Sequence, residues 1–363
     1  MACRLEATIS STESINLMET AMNKYWKRMA APLAAALTLT ASAAQAQTTL
    51  RYSNWLPLGH PLRAQVMEPW AEEVAKATQG RVKVEVSPKV IGTVAGQFDA
   101  IVDGLADVAL FVPSYSAGRF ELTELMELPF LADSAAVRSP VTYKFFAQNL
   151  AKFDEYKGVT VLSLFPGPAQ HVSTAKRPIK TIEDFQGLKL RSPSPIASQT
   201  VTLLGGIPVL KPATEIYEMV SGGLLDGAVF TIPDALSFKL TNLLPRVSIV
   251  PGGLGATVIV LGVNPAKWKT IGEADQQAIM KVSGEKLAQA VGTAYDIAEK
   301  ESLEATRKSG GTVETLSPAL VAAMKQRVLP IEQGAIEKAR KKGVADPAAL
   351  IAILRSDLAK ATK

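Results

Sequence analysis

The sequence predicts an α/β protein of two domains on open, largely parallel sheets, with one long helix running along both. Three observations carry that expectation. Strand and helix patterns alternate over 50–112 and again over 159–231, as in sheets covered by helices. Two such units in about 210 residues imply two domains. The stretch 266–317 contains no proline, and its apolar residues approximate a helical stripe.

The elements follow in order. A short strand at 50–54 leads into a helix at 61–78, where Val66, Trp70, Val74 and Ala77 share one side. Gly80 then opens the alternation of Val82, Val84 and Val86, a strand with one face buried. A helix at 96–103 and a strand at 108–112 close the first unit. The second begins with a strand at 159–165. Thr181 reads as the N-cap of a small helix with Glu183 and Asp184 in its first turn, acids near the positive helix end. Then come a strand at 189–191, a helix at 196–204 and a strand at 228–231.

No residue between Arg246 and Lys267 is charged. A hydropathy window would see a membrane span there, but Pro251, Gly252, Gly253 and Gly255 break any helix, and the run TVIVLGV at 257–263 reads as a buried strand. A helix over 273–308, with Ile279, Val282, Val291, Ala294 and Ile297 on its stripe, would reach roughly 54 Å at about 1.5 Å per residue. Gly284 and Gly292 are places for it to kink. Helices at 318–341 and 346–362 end the chain, and the basic run at 338–342 reads as a solvated helix end.

The first 46 residues stand apart. Lys24, Lys27 and Arg28 precede an apolar stretch at 29–42, and Ala44, Gln45 and Ala46 supply a small-x-small pattern, so 1–46 is expected to be a signal peptide with an upstream extension, cleaved before Gln47. The only cysteine, Cys3, lies in that segment, which excludes a disulfide, a thiol nucleophile or a thiolate metal site from the rest. With His60 and His171 as the only histidines, no metal site and no cofactor is expected. The chain carries 39 basic and 34 acidic residues. So weak a surplus lacks the concentrated basic patch that nucleic acid requires.

No nucleophile elbow, phosphate loop, HExxH or strand-coupled dinucleotide fingerprint occurs in the sequence. A secreted hydrolase or lyase working through carboxylates stays open as an alternative, because such pairs come from anywhere in a chain. Binding has a sharper signal. In GLKLRSPSP, at 187–195, a short apolar alternation places Arg191 at a strand end, where α/β sheets present their ligand crevice. A guanidinium is a planar fork that clamps a carboxylate through two bonds. A surface ion pair is the alternative for a lone arginine.

The fragments YSNWLPLGHPL, EEVAKATQGRVKVEVSP, GLADVALFVPSYSAGRFELTELMELPF, KRPIKTIEDFQGLKLR and VSGGLLDGAV, in that order, resemble the DctP-type substrate-binding proteins of tripartite ATP-independent periplasmic (TRAP) transporters. The resemblance covers essentially the whole chain beyond residue 46. It implies a two-domain periplasmic-binding-protein (Venus-flytrap) fold with discontinuous domains, 47–168 plus 257–296 and 169–256 plus 297–363, and a long helix spanning both. It also implies a monomeric periplasmic receptor without enzymatic activity, which closes on a small organic acid and delivers it to TRAP membrane permease subunits. A receptor feeding a sensor kinase is the variant of that reading. Arg191, the arginine of GLKLR, is the residue that holds the ligand carboxylate in the resemblance, and the prolines after it end the strand so that the guanidinium faces the cleft.

The chain also departs from the family. Where many members carry a second arginine, this sequence has Gln170, and after Asp226-Gly227 it runs Ala228, Val229, Phe230, Thr231 where other branches offer polar residues. A second ligand carboxylate would lack a cation, so a monocarboxylate with an apolar or aromatic body is expected. Trp55, Tyr115 and Phe230 stand at strand ends that line one crevice, with core packing as the alternative for each. His60 is a ligand donor or a structural cap. Gln170 and Thr231 are candidate neutral donors. Arg119 is expected to hold the segment 113–130, and Asn264 to sit in a turn.

Overall fold

The computed structural model describes residues 47–362; the expected leader, with Cys3, lies outside the described residues. The chain opens with β1 (Thr48–Ser53). A wide helical turn over Leu62–Met67 then leads into α1 (Glu68–Ala77), β2 (Val82–Val86), α2 (Gln97–Val102), β3 (Val108–Phe111), α3 (Ala135–Phe145) and β4 (Thr160–Pro166). A second unit holds β5 (His171–Thr174), β6 (Lys189–Ser192), α4 (Pro195–Leu204), β7 (Ile207–Leu210), α5 (Ile216–Ser221), β8 (Gly227–Phe230), α6 (Ile232–Ser237) and β9 (Arg246–Ile249). The chain returns through β10 (Val258–Val263), α7 (Pro265–Trp268), α8 (Glu273–Val282) and α9 (Gly284–Lys308). It ends with β11 (Thr312–Thr315), α10 (Pro318–Lys341) and α11 (Pro347–Ala361).

These strands form two sheets, ordered β2-β1-β3-β10-β4 and β11-β9-β5-β8-β6-β7. Each is parallel except for one strand, β10 in the first and β5 in the second. Those reversed strands are the two that the chain enters directly from a strand of the other sheet; β11, reached through helices, is parallel. The uncharged run is β10, central in its sheet and buried at all six positions, so both of its faces must be apolar. Among the described residues no helix is long and apolar enough to cross a membrane. The architecture is the two-sheet periplasmic-binding-protein fold, and α9 packs on α3 and β4 beside the first sheet and on α6 and β11 beside the second. The last two helices divide likewise, α10 against α4 and α11 against α3.

The expected single helix over 273–308 is two helices. Gly284 takes a φ of +52°, a left-handed conformation that glycine adopts freely, and the break is held from outside. Trp70 Nε1 donates to Ser283 Oγ at 3.0 Å and Ser163 Oγ to the Gly284 carbonyl at 2.7 Å. Gly292 does not kink α9; it lies where that helix meets the N-terminus of α3. A Cβ there would stand 2.3 Å from the Ala135 carbonyl oxygen. The buried stripe is also rotated from the expected one: it runs through Leu287, Val291, Ala294, Tyr295 and Ala298, while Ile297 is half exposed.

Two local expectations are corrected by single contacts. Near Thr181 the chain forms only a short turn over Glu183–Phe185, and the cap is Asp184, whose carboxylate accepts the backbone N–H groups of Lys180 and Thr181 at 2.9 and 2.8 Å. Those bonds hold its carboxyl below the usual range. In the basic run, Lys338 is not simply solvated: its Nζ reaches both oxygens of the buried Glu124, at 2.9 and 2.8 Å. Arg119 pairs with Asp99 at 2.7 Å and lies over the Phe98 ring at 4.3 Å, tying its loop to α2. Asn264 caps α7 through the Lys267 N–H.

Candidate functional site

Arg191 is the third residue of β6, between Val209 of β7 and Ala228 of β8. Pro193 stops the strand, Ser194 caps α4 by accepting the Ala197 N–H, and Pro195 occupies the first helical position, where its missing N–H costs nothing. The guanidinium is buried, 1% exposed. Its Nε donates to the Lys211 carbonyl at 2.8 Å and Nη1 to that of Val229 at 3.4 Å, and the Phe230 ring lies 5.0 Å beneath it. Among the described residues no carboxylate pairs with it, and the polar side chain beside it is Tyr115, whose hydroxyl lies within hydrogen-bonding reach. Burial pulls its pKa down, opposed by the neighbouring Tyr115 and Asp234. A buried charge without a counter-charge is costly.

The first sheet supplies the facing wall. Tyr115 ends the short turn after β3, and its hydroxyl accepts the Ala213 N–H of the second unit at 3.1 Å. Burial pushes this phenol up, so it keeps its own proton to donate. Trp55, just after β1, spends its N–H on the Leu110 carbonyl at 2.9 Å and therefore offers a flat apolar face. His60 is 1% exposed. Its Nδ1 accepts the Leu62 N–H at 3.2 Å, which leaves Nε2 to donate across to Asp234 Oδ1 at 3.0 Å. The histidine thus caps the helical turn after it and bridges the two units.

Gln170 lies on the first crossing, and its amide donates to Thr257 Oγ1 on the second crossing at 2.7 Å. Phe230 ends β8. Thr231 follows as the N-cap of α6, accepting the Asp234 N–H at 3.2 Å, so its own hydroxyl proton stays available. Behind the crossings Glu127 accepts bonds from Ser114 Oγ and the Val258 N–H, and burial pushes its carboxyl up to about 7.

All seven residues singled out in the sequence border one narrow space between the sheets, a cavity of about 40 Å³. Small-ligand sites are several times larger, roughly 300–1,000 Å³, so the two walls stand close together here. Sequence reasoning missed Asp234, Phe238 and Tyr295, which border it too. Tyr295 carried the one available signal, a polar tip within the apolar stripe of a long helix. Asp234 carried none, since an acid in a helix's first turn is ordinary. Among the described residues no cluster of histidine, cysteine, aspartate and glutamate is arranged to hold a metal ion.

Comparison with known proteins places this geometry. A Bordetella bronchiseptica TRAP periplasmic solute-binding protein, solved with bound (R)- and (S)-mandelate, superposes with a TM-score of 0.83 at 34% identity, over 86% of this chain and 99% of that one. A marine metagenome TRAP solute-binding protein described as specific for aromatic acid ligands, solved with 3-hydroxybenzoate, gives a TM-score of 0.82 at 28% identity over 87% and 99%. In sequence the chain is 31% identical to the Comamonas testosteroni protein named outer membrane transporter protein TsaT, over 89% of this chain and 95% of that one. Residues 52–338 match the family model of bacterial extracellular solute-binding protein, family 7. The chain therefore belongs to the DctP family, the non-enzymatic periplasmic solute receptors of TRAP transporters.

Proposed function

We propose that this receptor binds a monocarboxylic acid with an aromatic or apolar body, the carboxylate lying on Arg191. The observation that carries the reading is a buried guanidinium with no carboxylate partner among the described residues, in a cavity whose walls combine Trp55, Phe230, Phe238 and Ile259 with the polar Gln170, Thr231 and Asp234. Tyr115 donates a second hydrogen bond to the carboxylate, Trp55 and Phe230 sandwich the body, and Gln170 and Thr231 complete the polar contacts; His60, with both ring nitrogens engaged, is the structural cap of the two readings and not a ligand donor. Among the described residues no second arginine or lysine lines the cavity to neutralise another carboxylate, which argues against dicarboxylates. The mandelate and 3-hydroxybenzoate held by the two structural neighbours are acids of this kind.

The two lobes are 47–168 with 257–296 and 169–256 with 297–363, α11 at the end of the second reaching back onto α3 of the first, and the second crossing and α9 acting as hinge. The ligand stabilises the closed form by contacts made only there, and the closed monomer delivers it to the membrane permease subunits. Calorimetric titration with benzoate, mandelate, hexanoate, succinate and glucuronate tests the assignment. The expected result is one site per chain, filled by the aromatic monocarboxylates far more tightly than by succinate or glucuronate. Tighter binding of succinate or glucuronate than of any monocarboxylate would overturn it.

A further inference from the structure

We propose that Asp234 selects the ligand, accepting a hydrogen bond from a ligand hydroxyl and repelling a second carboxylate, so that the preferred ligands are hydroxylated aromatic monocarboxylates. This rests on the reading above, in which Arg191 holds the acid. Asp234 borders the same cavity as Arg191 without forming an ion pair with it, so two opposite charges face one ligand space separately. The histidine fixes what the aspartate offers. Because His60 Nδ1 accepts the Leu62 N–H, Nε2 carries the ring proton and gives it to Oδ1. Oδ2 accepts nothing among the described residues.

A carboxylate oxygen only accepts. Whatever approaches Oδ2 must bring a hydrogen, and a carboxylate on the ligand brings none. A hydroxyl does, and a bond to a charged acceptor is among the stronger ones available. Arg191 then reads the acid and Asp234 the alcohol or phenol, while the rings between them read the apolar body.

The variant Asp234→Asn separates charge from geometry. His60 still donates to Oδ1, which pins the side chain, and Nδ2 takes the place of Oδ2, turning an acceptor into a donor. The test is titration of both proteins with matched probes: mandelate against phenylacetate, 3-hydroxybenzoate against benzoate, and phenylmalonate against phenylacetate. In the wild type at least one hydroxy acid should bind roughly tenfold or more tightly than its parent, and phenylmalonate more weakly than phenylacetate. In the variant the hydroxyl preference should vanish and phenylmalonate should gain. Equal binding within both hydroxyl pairs in the wild type, or preferences unchanged in the variant, overturns the role of Asp234 and leaves the acid-binding reading standing. Failure of every acid to bind overturns both.

Discussion

Replacing Arg191 by alanine should weaken binding of the acid by about 30-fold to several thousandfold, the equivalent of about 2–5 kcal/mol for removing one partner of a buried charge pair. The protein should nevertheless fold. The wild-type guanidinium is buried beside two backbone carbonyls and the Tyr115 hydroxyl, with no counter-charge paired to it among the described residues, so its removal relieves a desolvation cost in the empty receptor. Melting of the empty variant should therefore be close to that of the wild type, while the stabilisation that the wild type gains from added acid disappears. Arg191→Lys should fall near the alanine variant, because an ammonium has neither the fork nor the lateral bonds to Lys211 and Val229 that aim it. Calorimetry and thermal melts with and without benzoate check both points.

The largest effect on stability is expected at Gly292. Its hydrogen faces the backbone of α3, where an added Cβ would lie 2.3 Å from the Ala135 oxygen and 2.7 Å from the Ala136 Cα. Backbone cannot swing aside as a side chain can, so the helices must separate. One turn on, Asp296 accepts the Ala135 N–H at 2.7 Å and Ser134 Oγ at 2.6 Å, closing the N-terminus of α3. Separation breaks these bonds as well. Gly292→Ala should cost about 3 kcal/mol or more, read as a drop in the denaturation midpoint. Gly334→Ala is the control. That glycine lies within α10 with nothing within 4 Å of a new Cβ, and the change should be neutral or mildly stabilising.

These cases show where local sequence carried information. The alternation of Val82, Val84 and Val86, the uncharged strand β10 and the prolines after Arg191 act over a few residues, and each was readable as a strand or its end. What escaped was set from a distance. The break before Gly284 depends on Trp70 and Ser163, the cap of the 183–185 turn on which acid reaches back, and the role of Gly292 on the approach of α3. The site divided the same way. Arg191, Trp55, Tyr115 and Phe230 lie at strand ends, and alternating α/β elements bring strand ends together. Asp234 became visible only when His60, 174 residues earlier, was placed opposite it.

The most direct measurement is a crystal structure of the protein bound to benzoate. The carboxylate should lie in the enclosed space between the sheets, with Nη2 of Arg191 and the Tyr115 hydroxyl on its oxygens and the ring between Trp55 and Phe230. A benzoate whose carboxylate points away from Arg191, or that sits outside this space while the guanidinium keeps only its protein partners, would contradict the account.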